Sequence, residues 1–277
     1  MKKTNFAFFG TDRFATTVLD ELLILGLSPS LIITTSDKPQ GRKMLLTPPL
    51  VKVWAEKNNI KFIQPATLKA IPPEIETGNF EICLVASYGK ILPQALLDIP
   101  PLGFVNIHPS LIPKYRGATP LESAILSGDT ETGVTLMQVD AEMDHGPIIA
   151  QEKFPLVDQD YFSLREQTAK LGAQMFARAL PDLVSGNIKF IQQDHASATF
   201  TKKITKADGE IDLASNPIDN YRKIRAYADW PSTYFFTNKN NQKLRVLIKK
   251  AHLEDGQLII DRVIPEGKKE MDWKSFI

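Results

Sequence analysis

The sequence predicts an α/β protein: a mostly parallel sheet with helices on both faces, followed by a smaller β-rich domain. Two observations predict this class. In the first half of the chain, short apolar runs alternate with segments whose apolar residues recur at helical spacing, a pattern typical of parallel sheets. After Phe200, short strand-like runs separated by polar turns dominate instead. The chain has 277 residues, a length that suits two domains.

The expected elements follow in order from these patterns. The helices of the first domain share apolar residues at three- and four-residue spacing and are predicted over residues 14–25, 48–58 and 161–184. Its buried strands share an apolar, often β-branched character and are predicted over residues 5–9, 31–35, 81–86 and 104–107. Two further strands, 133–139 and 148–154, are expected to pair antiparallel around a polar turn at 141–146.

A second domain is expected after an irregular polar segment. Its pattern predicts one short helix and several strands, over residues 217–226, 233–236, 243–250 and 257–263. We therefore place the first domain over residues 1–184, a linker over 185–199 and the second domain over 200–277. The second domain carries 15 Lys and Arg against 11 Asp and Glu, whereas the whole chain has a net charge of +1.

Composition disfavours several classes of protein. The single cysteine, Cys83, lies in an apolar run, which indicates a buried side chain and neither a disulfide nor a cysteine-based zinc site. No stretch approaches the ~20 apolar residues of a membrane span, and the apolar run 6–9 is too short for a signal peptide, so a cytoplasmic protein is expected. Gly10 opens the first strand–helix turn, but the second and third glycines of a dinucleotide-binding motif are missing, which argues against such a cofactor.

Asn106 and His108 are the strongest candidates for chemistry. They lie two residues apart at the end of a predicted buried strand, so their side chains share one face of the sheet. An amide donates a hydrogen bond without charge, and an imidazole can donate, accept or carry a proton near neutral pH. A histidine at a strand end is often only a structural hydrogen-bonding group. The acidic turn 140–147 contains aspartates, one of which could reach His108 and hold it as the cation.

Four segments in a fixed order resemble the folate-dependent formyltransferases: NIH at 106–108, SLIPKYRG at 110–117, TGVT at 132–135 and MDHGPII at 143–149. The resemblance implies a Rossmann-like N-terminal catalytic domain, 10-formyltetrahydrofolate as the formyl donor and catalytic roles for Asn106, His108 and Asp144. YGKILP at 88–93 is similar to the family's folate-pocket segment. The positions expected to bind the donor are Tyr88, Gly89, Ile91, Leu92, Ser110, Leu111, Pro113 and Asp140. No metal is expected.

Formyl transfer explains why these three side chains would act together. A neutral amine attacks the formyl carbon, and negative charge develops on the formyl oxygen. Asn106 and protonated His108 are expected to donate to that oxygen, a contribution of ~3 kcal/mol per donor. Asp144 is expected to keep His108 charged and to accept the proton of the amine through a water molecule.

The resemblance continues over the whole chain within the branch of the family whose acceptor is initiator methionyl-tRNA. FGTDRFA at 9–15, DKPQGRK at 37–43 and TPPLVK at 47–52 are similar to its opening turn and its basic loop. In that branch the loop enters the groove at the acceptor end of the tRNA, which implies tRNA contacts for Lys38, Arg42 and Lys43. Arg116, in the segment 110–117, is also expected to contact the tRNA. Taken singly, each lysine is more typical of a solvated surface loop.

The C-terminal part resembles the linker and OB-like barrel of the same branch. The similar segments are FTKKI at 200–204, DGEID at 208–212, IRAY at 224–227 and PEGKKEM at 265–271. A small basic barrel suits a platform for RNA. Between Lys250 and Asp255 the chain is shorter than the family's pattern, so a small, shortened OB-like β-barrel is expected.

Three other interpretations stay open. A sugar-nucleotide N-formyltransferase would use the same donor and the same three catalytic residues with a 4-amino sugar as acceptor. The basic loop and the lysine-rich C-terminus favour tRNA over that acceptor. A formyltetrahydrofolate hydrolase would replace the amine by water, and an inactive folate- or RNA-binding module would need no chemistry. The expected partners are methionyl-tRNA and folate, with no membrane and a monomeric chain.

Overall fold

The computed structural model of the chain describes residues 4–41, 43–239 and 242–277. Arg42, one of the predicted tRNA contacts, lies outside the described residues. The strands, in chain order, are β1 (Phe6–Gly10), β2 (Leu31–Ile33), β3 (Lys38–Gln40), β4 (Leu45–Thr47), β5 (Phe62–Ile63), β6 (Ile82–Ala86), β7 (Phe104–His108), β8 (Glu131–Gln138), β9 (Ile148–Pro155), β10 (Tyr234–Lys239), β11 (Gln242–Glu254), β12 (Gln257–Pro265) and β13 (Met271–Asp272). The helices are α1 (Arg13–Ile24), α2 (Leu50–Lys57), α3 (Pro73–Glu76), α4 (Gln94–Leu97), α5 (Pro120–Ser127), α6 (Tyr161–Ser185), α7 (Pro217–Ala226) and α8 (Trp273–Phe276).

A large, mostly parallel sheet organises the first part of the chain. Its strand order is β5-β2-β1-β6-β7-β8-β9; the neighbours from β5 to β7 run parallel, whereas β8 is antiparallel to β7. The strands and long helices predicted for this part are confirmed within two residues at each end. Val85 of β6 pairs with Asn106 of β7, so the carboxyl ends of these two strands lie side by side.

Alternation along the strands divides the core between the two faces of the sheet. Phe6 and Phe8 of β1 pack with residues of α1, α2 and α6 on one face, whereas Ala7 and Phe9 pack with residues of α3 and α4 on the other. Cys83 belongs to the second face and is fully buried, and burial raises the pKa of its thiol. The expectation of a buried cysteine is confirmed.

The turn after β1 packs against the carboxyl end of β6. A Cβ on Gly10 would lie 2.6 Å from the Cβ of Ala15 and 2.9 Å from the carbonyl oxygen of Ala86, so only glycine fits there. Asp12 accepts a hydrogen bond from the backbone amide of Ala15 and caps the start of α1. The hydroxyl of Ser87 donates to the other carboxylate oxygen of Asp12 at 2.6 Å. These contacts fix the loop that follows β6.

The chain divides into two compact units. The first runs to Gly117 and includes Gly133–Lys153 and Glu166–Phe200, and the second consists of Ala118–Thr132, Phe154–Arg165 and Thr201–Ile277. This division differs from the predicted boundaries. Helix α5 packs against α7 and so groups with the C-terminal residues, while the predicted linker groups with the first unit.

An antiparallel sheet in the order β10-β11-β12-β13 forms the second unit together with α5 and α7. Its core includes Ile224, Phe235 and Val246. Strand β11 turns directly into β12 through Asp255 and Gly256, whose φ angles are 49° and 76°. The expected shortening after Lys250 therefore takes the form of a long hairpin, in which β11 continues four residues past the predicted strand end.

The sequence patterns missed the short elements, namely β3, β4, β5, β13, α3, α4, α5 and α8. Most of these have two to four residues, which is too few to show a period. Among the described helices, none combines the length and apolar character that crossing a membrane requires.

Candidate active site

Strand β7 carries the two central candidates at its carboxyl end. Asn106 and His108 project from the same side of the strand as Phe104, whereas Ile107 packs into the opposite core. The strand ends at His108, whose carbonyl oxygen accepts from the backbone amide of Ser110 at 2.9 Å. His108 is only 4% exposed, so its ring contacts protein groups and little solvent.

Both nitrogens of the His108 ring face oxygen atoms. Nε2 lies 3.0 Å from the carbonyl oxygen of Tyr115, which can only accept, so Nε2 carries a proton. Nδ1 lies 3.6 Å from Oδ2 of Asp144. This separation is longer than a hydrogen bond, so the structure shows the ring and the carboxylate as close neighbours.

Two groups of the site donate hydrogen bonds to the Asp144 carboxylate. Its Oδ2 accepts from the backbone amide of Gly117 at 2.7 Å, and its Oδ1 accepts from the side-chain amide of Asn106 at 3.4 Å. Its backbone has φ 50°, a left-handed conformation that costs free energy in a non-glycine residue. The structure thus brings Asn106, His108 and Asp144 together, although these residues span 38 positions in the chain.

Gln193 joins the two loops that surround His108. It is 5% exposed, and its Nε2 donates to the carbonyl oxygens of Asp144 at 3.0 Å and Gly146 at 2.6 Å. Its Oε1 accepts from Nε and Nη2 of Arg116. Sequence patterns placed Gln193 in a polar linker and gave no reason to connect it with the site.

Arg116 is placed differently from an exposed tRNA contact. It is 4% exposed, and besides Gln193 its Nη2 contacts Nδ1 of His195 at 2.8 Å. The guanidinium carbon also lies 6.0 Å from the ring centroid of Phe200. Because a guanidinium only donates, Nδ1 of His195 must accept. The expected contact of Arg116 with tRNA stays a prediction.

Two histidines without an assigned role complete the surroundings. The rings of His145 and His195 stack with centroids 4.0 Å apart and planes 5° apart. Nδ1 of His145 lies 2.7 Å from Oδ2 of Asp140, one of the residues expected to bind the donor. Asp140 thus has a partner within its own turn, and its binding role stays a prediction.

The residues after β6 that were expected to bind the donor differ in their solvent exposure. Burial raises the pKa of Tyr88 to about 12, its ring packs edge-on against Phe9, and its carbonyl oxygen accepts from Thr11. Leu92 is also buried, whereas Gly89, with φ 73°, and Ile91 are exposed. At 89% exposure, Ile91 is the residue of this segment whose side chain is free to contact a ligand.

The expected donor-binding residues after β7 mostly support the loop itself. Ser110 is buried and its hydroxyl donates to the carbonyl oxygen of Lys114 at 2.6 Å. The carbonyl oxygen of Pro113 accepts from the backbone amide of Thr199 at 3.1 Å. Leu111 is half-buried. Contacts of these residues with a donor stay predictions.

The expected basic loop forms the hairpin β3–β4. Lys38 and Lys43 are exposed, and in the described part of the chain neither has an ion-pair partner. The exposed apolar residues of the hairpin are Met44, Leu45 and Leu46. At the base of the hairpin, Asp37 bonds to Lys52 at 2.9 Å and to Gln64 at 2.7 Å. Both bonds favour the carboxylate and lower the pKa of Asp37, the Gln64 bond most.

Within residues 4–41, 43–239 and 242–277, no group of three or more His, Cys, Asp and Glu side chains is arranged to hold a metal ion.

A buried strand end with a juxtaposed amide, imidazole and carboxylate agrees with what the family comparisons find. The formyl transferase family model matches residues 2–180, and the model of the formyl transferase C-terminal domain matches residues 203–257. The chain belongs to the formyl transferase family. Within it, the chain is 43% identical over 244 residues to a methionyl-tRNA formyltransferase of Chloroflexus aggregans, an alignment that covers 87% of this chain and 78% of that protein.

Solved structures share the fold over nearly the whole chain. A methionyl-tRNA formyltransferase from Clostridium thermocellum is 16% identical with a TM-score of 0.63, and the match covers 97% of this chain and 99% of that one. A sugar 3N-formyl transferase, WlaRD, solved in the presence of dTDP and 5-N-formyl-THF, is 21% identical with a TM-score of 0.65, covering 97% and 100%. At these identities the similarity shows the fold alone.

Proposed function

We propose that the chain transfers the formyl group of 10-formyltetrahydrofolate to the amino group of initiator methionyl-tRNA. The observation that carries this proposal is the 43% identity to a methionyl-tRNA formyltransferase over 87% of the chain. The meeting of Asn106, His108 and Asp144 at the end of β7 supports it, because formyl transfer needs these chemical groups at one point. We expect the protein to act as a monomer in the cytoplasm.

Asn106 and His108 would stabilise the charge that develops on the formyl oxygen. The side-chain amide of Asn106 uses one of its two N–H groups toward Asp144 and keeps the other for the substrate. His108 donates through Nε2 to Tyr115, so Nδ1 is the nitrogen that can face both Asp144 and the substrate. Donors fixed in this way before the reaction are worth ~3 kcal/mol each at an oxyanion.

Asp144 would move the proton. The amine nitrogen attacks the formyl carbon, the bond between that carbon and N10 of the folate breaks, and one proton passes from the amine to N10. Asp144 is half-buried beside His108, and a water molecule could relay the proton through it. Both oxygens of Asp144 already accept hydrogen bonds from protein groups, which fixes the orientation of its free lone pairs.

The donor would lie beside the loop that follows β6. The pairing of Val85 with Asn106 places this loop next to the catalytic strand end. Exposed Ile91 offers an apolar contact for a flat folate ring, and Gly89 leaves the backbone open to close approach. A folate donor is further supported by WlaRD, a protein of the same fold that was solved in the presence of 5-N-formyl-THF.

The acceptor can be tested directly with the purified protein. Incubation with 10-formyltetrahydrofolate and either methionyl-tRNA or a 4-amino-sugar nucleotide should give formylmethionyl-tRNA and no formylated sugar. Free methionine is the matched control, because it carries the same amine without the tRNA. Formylation of the sugar nucleotide alone would keep the catalytic residues and overturn the acceptor. Release of formate without either product would instead indicate a hydrolase.

A further inference from the structure

Both loops around His108 adopt backbone conformations that need external support. Tyr115, whose carbonyl oxygen holds His108, has φ 64°, and Asp144 has φ 50°. Neither residue is glycine, so each conformation costs free energy and persists only where neighbours enforce it. The two loops are linked directly by the bond from the Gly117 amide to the Asp144 carboxylate. Further bonds to both loops come from the segment 191–200.

Gln193 supports the turn that carries Asp144. Its Nε2 donates both available hydrogens, to the carbonyl oxygens of Asp144 and Gly146. Gly146 also packs closely against the end of β8, because a Cβ on this residue would lie 1.9 Å from the carbonyl oxygen of Gln138. The turn 140–147 is thus held between β8 and the Gln193 amide.

Gln193 also supports the opposite loop through Arg116. Its Oε1 accepts two N–H groups of that buried guanidinium. Thr199 supports the same loop: its hydroxyl oxygen accepts from the amide of Tyr115 at 2.8 Å, and its carbonyl oxygen accepts from the amide of Arg116 at 2.8 Å. One primary amide therefore connects the loop that holds His108 with the turn that holds Asp144.

We propose that Gln193 is a positioning residue for formyl transfer, which sets the Asp144 carboxylate against His108 by joining the two loops. This inference rests on the proposed function. A glutamine is required because one end of the side chain must donate to two carbonyl groups while the other accepts from a guanidinium. A glutamate of the same size could serve Arg116 but would present oxygen to the two carbonyl oxygens.

Two substitutions separate positioning from support of the buried arginine. Gln193→Leu removes both functions, whereas Gln193→Glu keeps the partner of Arg116 and removes only the donor to the Asp144 turn. Asn220→Leu is the matched control. Asn220 is equally buried, and its amide donates to the carbonyl oxygen of Asp212 at 2.7 Å within the second unit. The control therefore loses a comparable hydrogen bond away from the catalytic strand.

The readouts are kcat and KM for both substrates, together with hydrogen exchange of the backbone amides in 140–147. Both Gln193 variants should lose ~10- to 100-fold in kcat with KM changed by less than about threefold, because misplacing a reacting group acts on the chemical step. Exchange of the turn should accelerate in both. Asn220→Leu should leave kcat and the exchange of this turn unchanged.

Two results would overturn the proposal: wild-type kcat in Gln193→Glu, which would leave only support of Arg116, or unchanged exchange of 140–147 in either Gln193 variant. Hydrogen exchange also separates this inference from the proposed function. If the wild-type protein formylated no methionyl-tRNA, the function would be wrong, yet the exchange data would still decide whether Gln193 holds the turn.

Discussion

The site at the end of β7 and the hairpin β3–β4 both carry predicted functional residues, but they are built in opposite ways. His108 is almost completely buried, and each of its ring nitrogens faces a protein oxygen. Lys38 and Lys43 of the hairpin are exposed and, among the described residues, have no ion-pair partner. The chain therefore fixes one set of side chains tightly and leaves the other set open to solvent.

The difference corresponds to two kinds of work. A reacting group must be held near its productive geometry, because catalysis depends on interactions that are realised only in the transition state. A cation that contacts a phosphate acts largely through charge and tolerates a range of positions. Changes at the strand end should therefore alter kcat, whereas changes in the hairpin should alter KM for tRNA.

The largest effect is expected at the strand end. His108→Ala should lower kcat for formylmethionyl-tRNA formation by ~10²- to 10⁴-fold, because the imidazole donor at the formyl oxygen is lost. Folate binding, measured by fluorescence titration, should change little, since the substitution acts on the transition state. His108→Gln is the companion variant. The glutamine amide can still donate to the carbonyl oxygen of Tyr115, so the loop keeps this hydrogen bond.

The control for this prediction is His252→Ala. His252 is about half exposed and pairs with Asp261 in the second unit. It is therefore a histidine that lies outside the candidate site. Near-normal kcat in both His108 variants would remove this residue from the mechanism and would break the comparison between the two regions.

Patterns in the sequence predicted the sheet and the residues on its strand end well. The alternation that buries Phe6 and Phe8 on one face and Ala7 and Phe9 on the other is a local property and can be read without the structure. Asn106 and His108 follow from the same rule, because residues two apart on a strand share a face. Asp144 could be placed near them only through the family resemblance.

The supporting residues could not be predicted for a physical reason. Gln193 meets Asp144 and Arg116 across 49 and 77 positions of sequence, and no periodicity connects such positions. Arg116 was predicted to contact tRNA from the family resemblance, whereas the structure shows that its guanidinium donates to a buried amide and an imidazole. Buried polar residues that hydrogen-bond to each other have the same amino-acid composition as a solvent-exposed loop, so composition does not distinguish the two.

A smaller effect is expected in the hairpin, and it would sharpen the comparison. The double variant Lys38→Ala with Lys43→Ala should raise KM for methionyl-tRNA by roughly 3- to 30-fold and leave kcat within about twofold. The slope of log KM against log salt concentration should fall by about one for each phosphate group that the variant no longer binds. Steady-state kinetics at several salt concentrations measures both quantities.

Lys57→Ala with Lys61→Ala is the charge-matched control for the hairpin. Both lysines are exposed, and they lie at the end of α2 and just before β5, toward the amino ends of the parallel strands. Because the candidate site lies at the carboxyl ends, this pair should not change KM. An equal rise in KM for both double variants would indicate a general effect of net charge, and a fall in kcat for the hairpin variant would contradict the division of work.

The smallest effect is expected at the base of the hairpin, where Asp37 bonds to Lys52 and Gln64. The pKa of Asp37 lies below its ordinary value of 3.8, because the amide of Gln64 and then the ammonium of Lys52 favour the carboxylate. Because the folded-state pKa is lowered, the ionised Asp37 carboxylate stabilises the fold above its ordinary pKa, and this stabilisation is lost as the pH falls through the lowered value.

Carbon NMR of the Asp37 carboxyl should therefore give a titration midpoint below 3.8. The substitutions Gln64→Leu and Lys52→Ala should each raise that midpoint, whereas the control Lys57→Ala should not. A midpoint at the ordinary value would mean that Asp37 is solvated in the same way as Lys38 and Lys43.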